Sequence, residues 1–208
     1  MNSSPLHAIL YDQGAAVAPL ARSLVAAWRR QGLRIAGLIE DHISRPERRS
    51  CDMVLLDLAS GARIPISEER GASARGCRLD RDAFMRAVEL VRGGLDTADI
   101  LILNKFGKLE CEGGGLRALI AEAIEAAVPT VIFVPCRNLA AWRSFAGLLA
   151  MEWNLCDLPA DGATASERLG LIGFSSEVVI GSHEENAAEQ EPGSSLPRLF
   201  ELGERARR

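Results

Sequence analysis

Hydrophobic residues in this chain follow two spacings in turn. Strand-length runs rich in apolar residues occur at residues 7–11, 33–39, 100–103 and 130–134, the 100–103 run being unbroken and bounded by Asp99 and Asn104. Between them lie stretches whose apolar residues recur every three or four positions. Leu20, Leu24, Ala27 and Trp28 mark a first helix, closed by Arg29-Arg30-Gln31-Gly32, because basic residues in the last turn complement the helix dipole and glycine accepts the left-handed cap. Phe84, Ala87, Val88 and Val91 mark a second helix within residues 80–93, and residues 116–127 form a third.

Residues 51–66 break the rhythm. Two strand-like runs flank Ser60-Gly61, which predicts a β-hairpin inserted after the second strand and decorating a sheet edge. A short helix at 142–150 and a last strand at 151–155 follow, with Glu40, Asp41 and His42 lying just beyond the second strand's end. Alternation of strands and helices predicts an α/β fold, a mostly parallel sheet covered by helices. The pattern decays after residue 159. The expected organisation is a domain at 1–159 and an acidic, partly disordered tail at 160–208, with disorder from residue 182 and one optional edge strand from residues 171–180.

Composition narrows the function classes. The net charge of −4 is placed unevenly: residues 1–160 carry 19 basic and 19 acidic side chains, residues 161–208 carry 5 and 9. A neutral body with an acidic tail has no basic field for nucleic acid, so nucleic acid is excluded as an expected partner. No apolar stretch approaches a membrane span, and residues 1–10 lack the basic-then-apolar order of a signal peptide, so a cytoplasmic protein without membrane contact is expected. Cys51, Cys77, Cys111, Cys136 and Cys156 are scattered without a C-x-x-C pair, which describes neither a disulfide framework nor a zinc finger. Cys111 and Cys136 each follow a predicted strand, leaving a soft-metal or redox role open beside the reading of small buried hydrophobes.

The chemistry concentrates in one place. Only two of the 24 lysine and arginine side chains are lysines, Lys105 and Lys108, and both lie in Asn104-Lys105-Phe106-Gly107-Lys108-Leu109-Glu110 immediately after the 100–103 strand. The carboxyl ends of strands in open α/β sheets hold the ligand site. Gly14, in the turn after the first strand, precedes a helix whose first N–H groups lack intrahelical partners and can bind an anion. Asp12 opposes such an anion and is expected instead to cap the helix.

The layout resembles the small P-loop nucleoside triphosphatases first described from thermophiles, with their cancer-related human relative. The matching segments are Met53-Val54-Leu55-Leu56-Asp57-Leu58-Ala59-Ser60-Gly61, Cys77-Arg78-Leu79-Asp80-Arg81-Asp82-Ala83-Phe84, and Ala98-Asp99-Ile100-Leu101-Ile102-Leu103 leading into Phe106-Gly107-Lys108-Leu109-Glu110. The similarity spans about residues 7–159, and within that group the chain looks like an uncharacterised bacterial branch often encoded beside molybdate-transport genes. The resemblance implies a phosphate loop after strand one, G-x-x-G-x-G-K-[ST], but the counterpart here is Tyr11-Asp12-Gln13-Gly14-Ala15-Ala16-Val17-Ala18. Val17 stands at the lysine place and Ala18 at the hydroxyl place. Where those relatives end a strand with an acidic pair that anchors magnesium, this chain has Asn104-Lys105.

Three readings follow: a non-hydrolytic nucleotide- or oxyanion-binding accessory protein linked by resemblance to molybdenum metabolism, a triphosphatase with unorthodox phosphate and metal ligands, or an interaction module without a small ligand. The candidate ligand-binding residues are Gln13, Gly14, Asn104, Lys105, Lys108 and Arg137, with Asp12, Glu40, His42 and Glu110 behind them. Lys105 either replaces the lost phosphate-loop lysine from the neighbouring strand or pairs with Asp12 or Glu40. No catalytic residue, metal ligand set, cofactor or oligomeric state is legible.

Overall fold

Seven strands, β1 (Leu6–Tyr11), β2 (Ile35–Ile43), β3 (Asp52–Asp57), β4 (Arg63–Pro65), β5 (Ile100–Leu103), β6 (Thr130–Pro135) and β7 (Ala150–Asn154), build one sheet in the order β4-β3-β2-β5-β6-β1-β7. The computed structural model describes residues 6–43, 52–67 and 79–171. The chain divides into two units, Met1–Ser175 and Ser176–Arg208, and every described residue belongs to the first. The disorder expected from residue 182 therefore lies outside the described residues, as do Cys51 and Cys77.

The five strands β1, β2, β5, β6 and β7 run parallel. The hairpin of β3 and β4 adds antiparallel strands at one edge. β1, β5 and β6 are apolar on both faces, which is why they read as continuous runs rather than as alternation. Strand β2 departs from expectation by continuing through Glu40, Asp41 and His42. The hairpin supplies the reason: Glu40 pairs with Leu55, Asp41 with Val54 and His42 with Met53, so β3 satisfies backbone groups that a loop would leave to water. Gly37 (φ 138°) is required in β2, because a Cβ there would lie 1.9 Å from the Ile102 carbonyl oxygen on β5.

Helix α1 (Val17–Arg30) covers one face, burying Leu20, Leu24 and Trp28 against Ile9, Ile35 and Phe133. Helices α2 (Arg81–Arg92), α4 (Arg117–Glu125) and α5 (Leu139–Ala146) cover the other, where Val88, Leu119, Ile120 and Trp142 are buried. Asp80 caps α2 by accepting the Ala83 N–H at 2.9 Å. α5 begins three residues before the expected 142 and ends at Gly147 (φ 55°), whose left-handed backbone stops it short of the expected 150.

Past residue 159 the structure adds helix α6 (Gly162–Arg168), which the hydrophobic pattern does not announce. It packs on α1 through small residues and one buried hydrogen bond. Ala165 is buried, Ser166 Oγ accepts the Trp28 indole N–H at 2.7 Å, and the Gly162 N–H donates to Ser23 Oγ at 2.7 Å. No helix among the described residues is long and apolar enough to cross a membrane.

Adjacent strands β1 and β6 send their chains to opposite faces, β1 into α1 and β6 into α5. Their carboxyl ends, paired at Tyr11 and Pro135, thus border a crevice at a topological switch point, the usual ligand position in open α/β sheets.

Candidate functional site

A cleft of about 410 Å³ opens at that switch point, lined by Tyr11, Asp12, Gly14, Val17, Asn104 and Lys105 together with Ala15, Ala18, Glu40 and Arg137. It draws on the ends of β1, β2, β5 and β6. A single 3-10 turn, Gly14–Ala16, leads from β1 into α1, and neither the turn nor α1 has a side-chain cap. Among the described residues no side chain covers the Gly14, Ala15 and Ala16 amides, whereas the Val17 N–H donates to the Gly14 carbonyl and Pro19 in the first turn of α1 has no N–H. Asp12 does not cap the helix as the sequence suggests. Its carboxylate hydrogen-bonds the Cys136 thiol, which together with burial pushes that thiol's pKa up and keeps it protonated. The turn geometry explains this: the residue at the cap position is Gln13, one place further on.

Gly14 is not demanded by the fold. An added Cβ would meet only Tyr11 Cε2, at an ordinary 3.5 Å. Val17 borders the cleft but is 8 % exposed and belongs to the core beneath α1.

The positive charge comes from the neighbouring strand ends. Lys105 Nζ lies 3.9 Å from Glu40 Oε1, and the Asn104 amide donates to Glu40 Oε2 at 3.4 Å. A separation of 3.9 Å is an ion pair without a hydrogen bond. Arg137, in the 3-10 turn Cys136–Asn138 after β6, is exposed and has no hydrogen-bond or ion-pair partner among the described residues. It faces the half-buried Tyr11. Burial raises the Tyr11 phenol above its ordinary range, Arg137 draws it down and Glu40 pushes it up. Two cations, Lys105 and Arg137, thus share the cleft with two carboxylates, Asp12 and Glu40.

The remaining candidates lie outside this cleft. Gln13 lines a neighbouring cavity of about 350 Å³ on the β7 side, with Cys136, Asn154 and Cys156, which shares Tyr11 and Asp12 with the cleft. Lys108 belongs to no loop: it opens the one-turn helix α3 (Lys108–Cys111) and pairs with Glu112 at 3.6 Å, while Glu112 also receives Arg81 at 3.2 Å. The backbone of His42 lies in β2, and its side chain is outside the described residues. Glu110 is buried and serves the backbone, accepting the Gly107 N–H at 2.7 Å and the Leu116 N–H at 2.8 Å. Burial raises its pKa despite those amides and the nearby Lys105 charge.

Among the described residues no group of three or more His, Cys, Asp or Glu side chains could hold a metal ion. Cys111 is exposed, and burial followed by the charges of Glu110 and Glu112 raises its thiol pKa. One contributor escaped the sequence reading: Tyr11 was hidden as the last residue of a strand. Asn138, which the sequence places on the same rim as Arg137, donates its amide to the Phe106 carbonyl at 2.7 Å and ties the β6 turn to the lysine segment.

Residues 6–157 match the family described as "Protein of unknown function (DUF2478)". The chain belongs to that family. It is also 34 % identical over 145 residues to the Molybdenum import ATP-binding protein ModC 2 of Bradyrhizobium diazoefficiens. That stretch covers 67 % of this chain but only 16 % of the longer protein. Among solved structures, THEP1 from Aquifex aeolicus overlaps 72 % of this chain and 88 % of its own, with a TM-score of 0.48 and 16 % identity.

Proposed function

We propose that this domain binds a nucleotide or an oxyanion without hydrolysing it and acts as an accessory protein in molybdenum metabolism. One observation carries the reading: the switch-point cleft gathers Lys105, Arg137 and the uncapped start of α1 around a common space, while Val17 and Ala18 supply neither charge nor hydroxyl. Phosphoryl transfer depends on positioning and on charge neutralisation by lysine and magnesium. Anion binding needs only the positive charge and the amides. The molybdenum link is supported by the 145-residue likeness to a small part of a molybdenum import protein, since a domain carried inside a longer chain serves the process of its neighbours.

The alternative, a triphosphatase with unorthodox ligands, is favoured by Glu40. Its carboxylate stands in the cleft beside Asn104, the position that the resemblance matches to a magnesium-anchoring acid.

A thermal-shift panel of ATP, GTP, magnesium, phosphate, sulfate, molybdate and tungstate separates the readings, because a ligand that binds the folded state raises the melting point. Binding by a nucleotide or oxyanion, weakened by about 1–3 kcal/mol in Lys105→Ala or Arg137→Ala, is expected for a charge-assisted contact. Magnesium-dependent phosphate release that disappears in Lys105→Ala would establish the triphosphatase. Silence across the whole panel would leave an interaction module.

A further inference from the structure

A second cavity, of about 370 Å³, adjoins the cleft and shares Glu40, Asn104, Lys105 and Arg137 with it. Those four residues form a common wall. On the far side the lining is apolar: Leu38 on β2, Leu55 on β3, Phe84 on α2, and Ile66, Leu79 and Leu116 between elements. The volume falls within the range of small-molecule sites, which pair an apolar body with a few placed polar groups. A bare tetrahedral oxyanion has no use for this surface.

From this juxtaposition we infer that the apolar cavity receives the ring system of an aromatic anion whose charged group lies at Lys105 and Arg137. The inference rests on the anion-binding reading and names the ligand class of the same site. Both lysines of the chain line this cavity, and their apolar stems can flank a ring while the Lys105 ammonium meets its anionic substituent and Lys108 stays paired with Glu112. Phe84 supplies a face for offset or edge contact. The carboxylates near the wall are engaged: Glu110 by two backbone amides, Glu40 by Lys105 and Asn104. Charge at the wall selects an anion, and the space behind it selects an apolar body.

The test is calorimetric titration of the full chain with 1-naphthyl phosphate, inorganic phosphate and 1-naphthol. The expected result is that naphthyl phosphate binds about tenfold or more tightly than phosphate, a modest return on burying a two-ring surface, and that naphthol binds weakly. Met53, half-buried on β3 and part of the cavity wall, tests the location. Met53→Trp should abolish the naphthyl advantage while leaving phosphate affinity in place. Met53→Ala, which does not challenge packing by overfilling, should reduce the advantage several-fold. Phosphate binding with no naphthyl advantage, or an advantage indifferent to both Met53 variants, overturns this inference and leaves the anion-binding function standing. Binding of naphthol with no response to either phosphate compound overturns this inference, as does silence from all three; the thermal-shift panel decides the anion-binding reading separately.

Discussion

Replacing Glu110 by alanine is expected to cost about 1–3 kcal/mol at neutral pH, the range for stranding one buried amide donor. The carboxylate ties both ends of the lysine-bearing segment together: one oxygen takes the Gly107 N–H that starts α3, the other takes the Leu116 N–H that leads into α4. Leu116 is buried, so its N–H has no water to turn to, whereas the half-buried Gly107 N–H can be solvated. The loop folds tightly on the carboxylate, since a Cβ at Gly115 would lie 2.0 Å from Glu110 Oε1.

The size of that loss depends on pH with a definite sign. Burial holds the Glu110 pKa above its unfolded value, outweighing the pull of the Leu116 and Gly107 amides and of Lys105. A carboxyl raised in this way contributes fully below the unfolded value, about 4.3, and loses that contribution as pH rises through the folded value. The deficit of Glu110→Ala is therefore largest near or below the unfolded pKa and shrinks toward neutrality. Thermal melts followed by circular dichroism at acid and neutral pH read this directly, and the neutral deficit corresponds to a fall of roughly 2–12 °C for a domain of this size. A variant that melts with the wild type at both pH values would show that the amides find other partners. A deficit that grows with pH would refute the burial account.

Two glycines give contrasting expectations. At Gly162 an alanine Cβ would meet the Ser23 carbonyl oxygen at 2.1 Å, so Gly162→Ala should push α6 from α1 and lower the urea midpoint by an overpacking cost of about 1–3 kcal/mol; an unchanged midpoint would mean that α6 is not held there. Gly14→Ala should leave the urea midpoint unchanged, since its Cβ has room, yet weaken phosphate binding by crowding the amides at the start of α1; wild-type affinity would remove that turn from the site.

Most of the sheet was legible because its strands are buried on both faces and therefore read as unbroken apolar runs. The hairpin was legible from Ser60-Gly61, and its effect on β2 was not: only the partner strand shows why Glu40, Asp41 and His42 stay extended. α6 left no apolar stripe because it packs with Gly162, Ala165 and Ser166, whose small size permits close approach to α1. At the site, strand ends located Gly14, Asn104, Lys105 and Arg137 together, since topology alone brings the carboxyl ends of β1, β5 and β6 to one rim. Gln13 and Lys108 are assigned to different cavities by local backbone direction, which depends on a 3-10 turn and a single helical turn that no periodicity reveals.

The resting state of Lys105 bears on selectivity. Its pair with Glu40 is long, and the two side chains are 41 % and 22 % exposed, so the attraction is of the surface kind, about 0–1 kcal/mol. An incoming anion can replace it at small cost. What the pair does impose is a threshold, because Glu40 stays in the wall and repels any negative charge that approaches from its side. A small anion that meets Lys105 alone gains little against Glu40. A ligand that also reaches Arg137, or that buries an apolar body behind the wall, overcomes the same repulsion with contacts Glu40 cannot oppose. The mixed charge of this cleft is therefore consistent with recognition by several weak contacts spread over two cavities, in place of the single lysine and metal that a phosphate loop would provide.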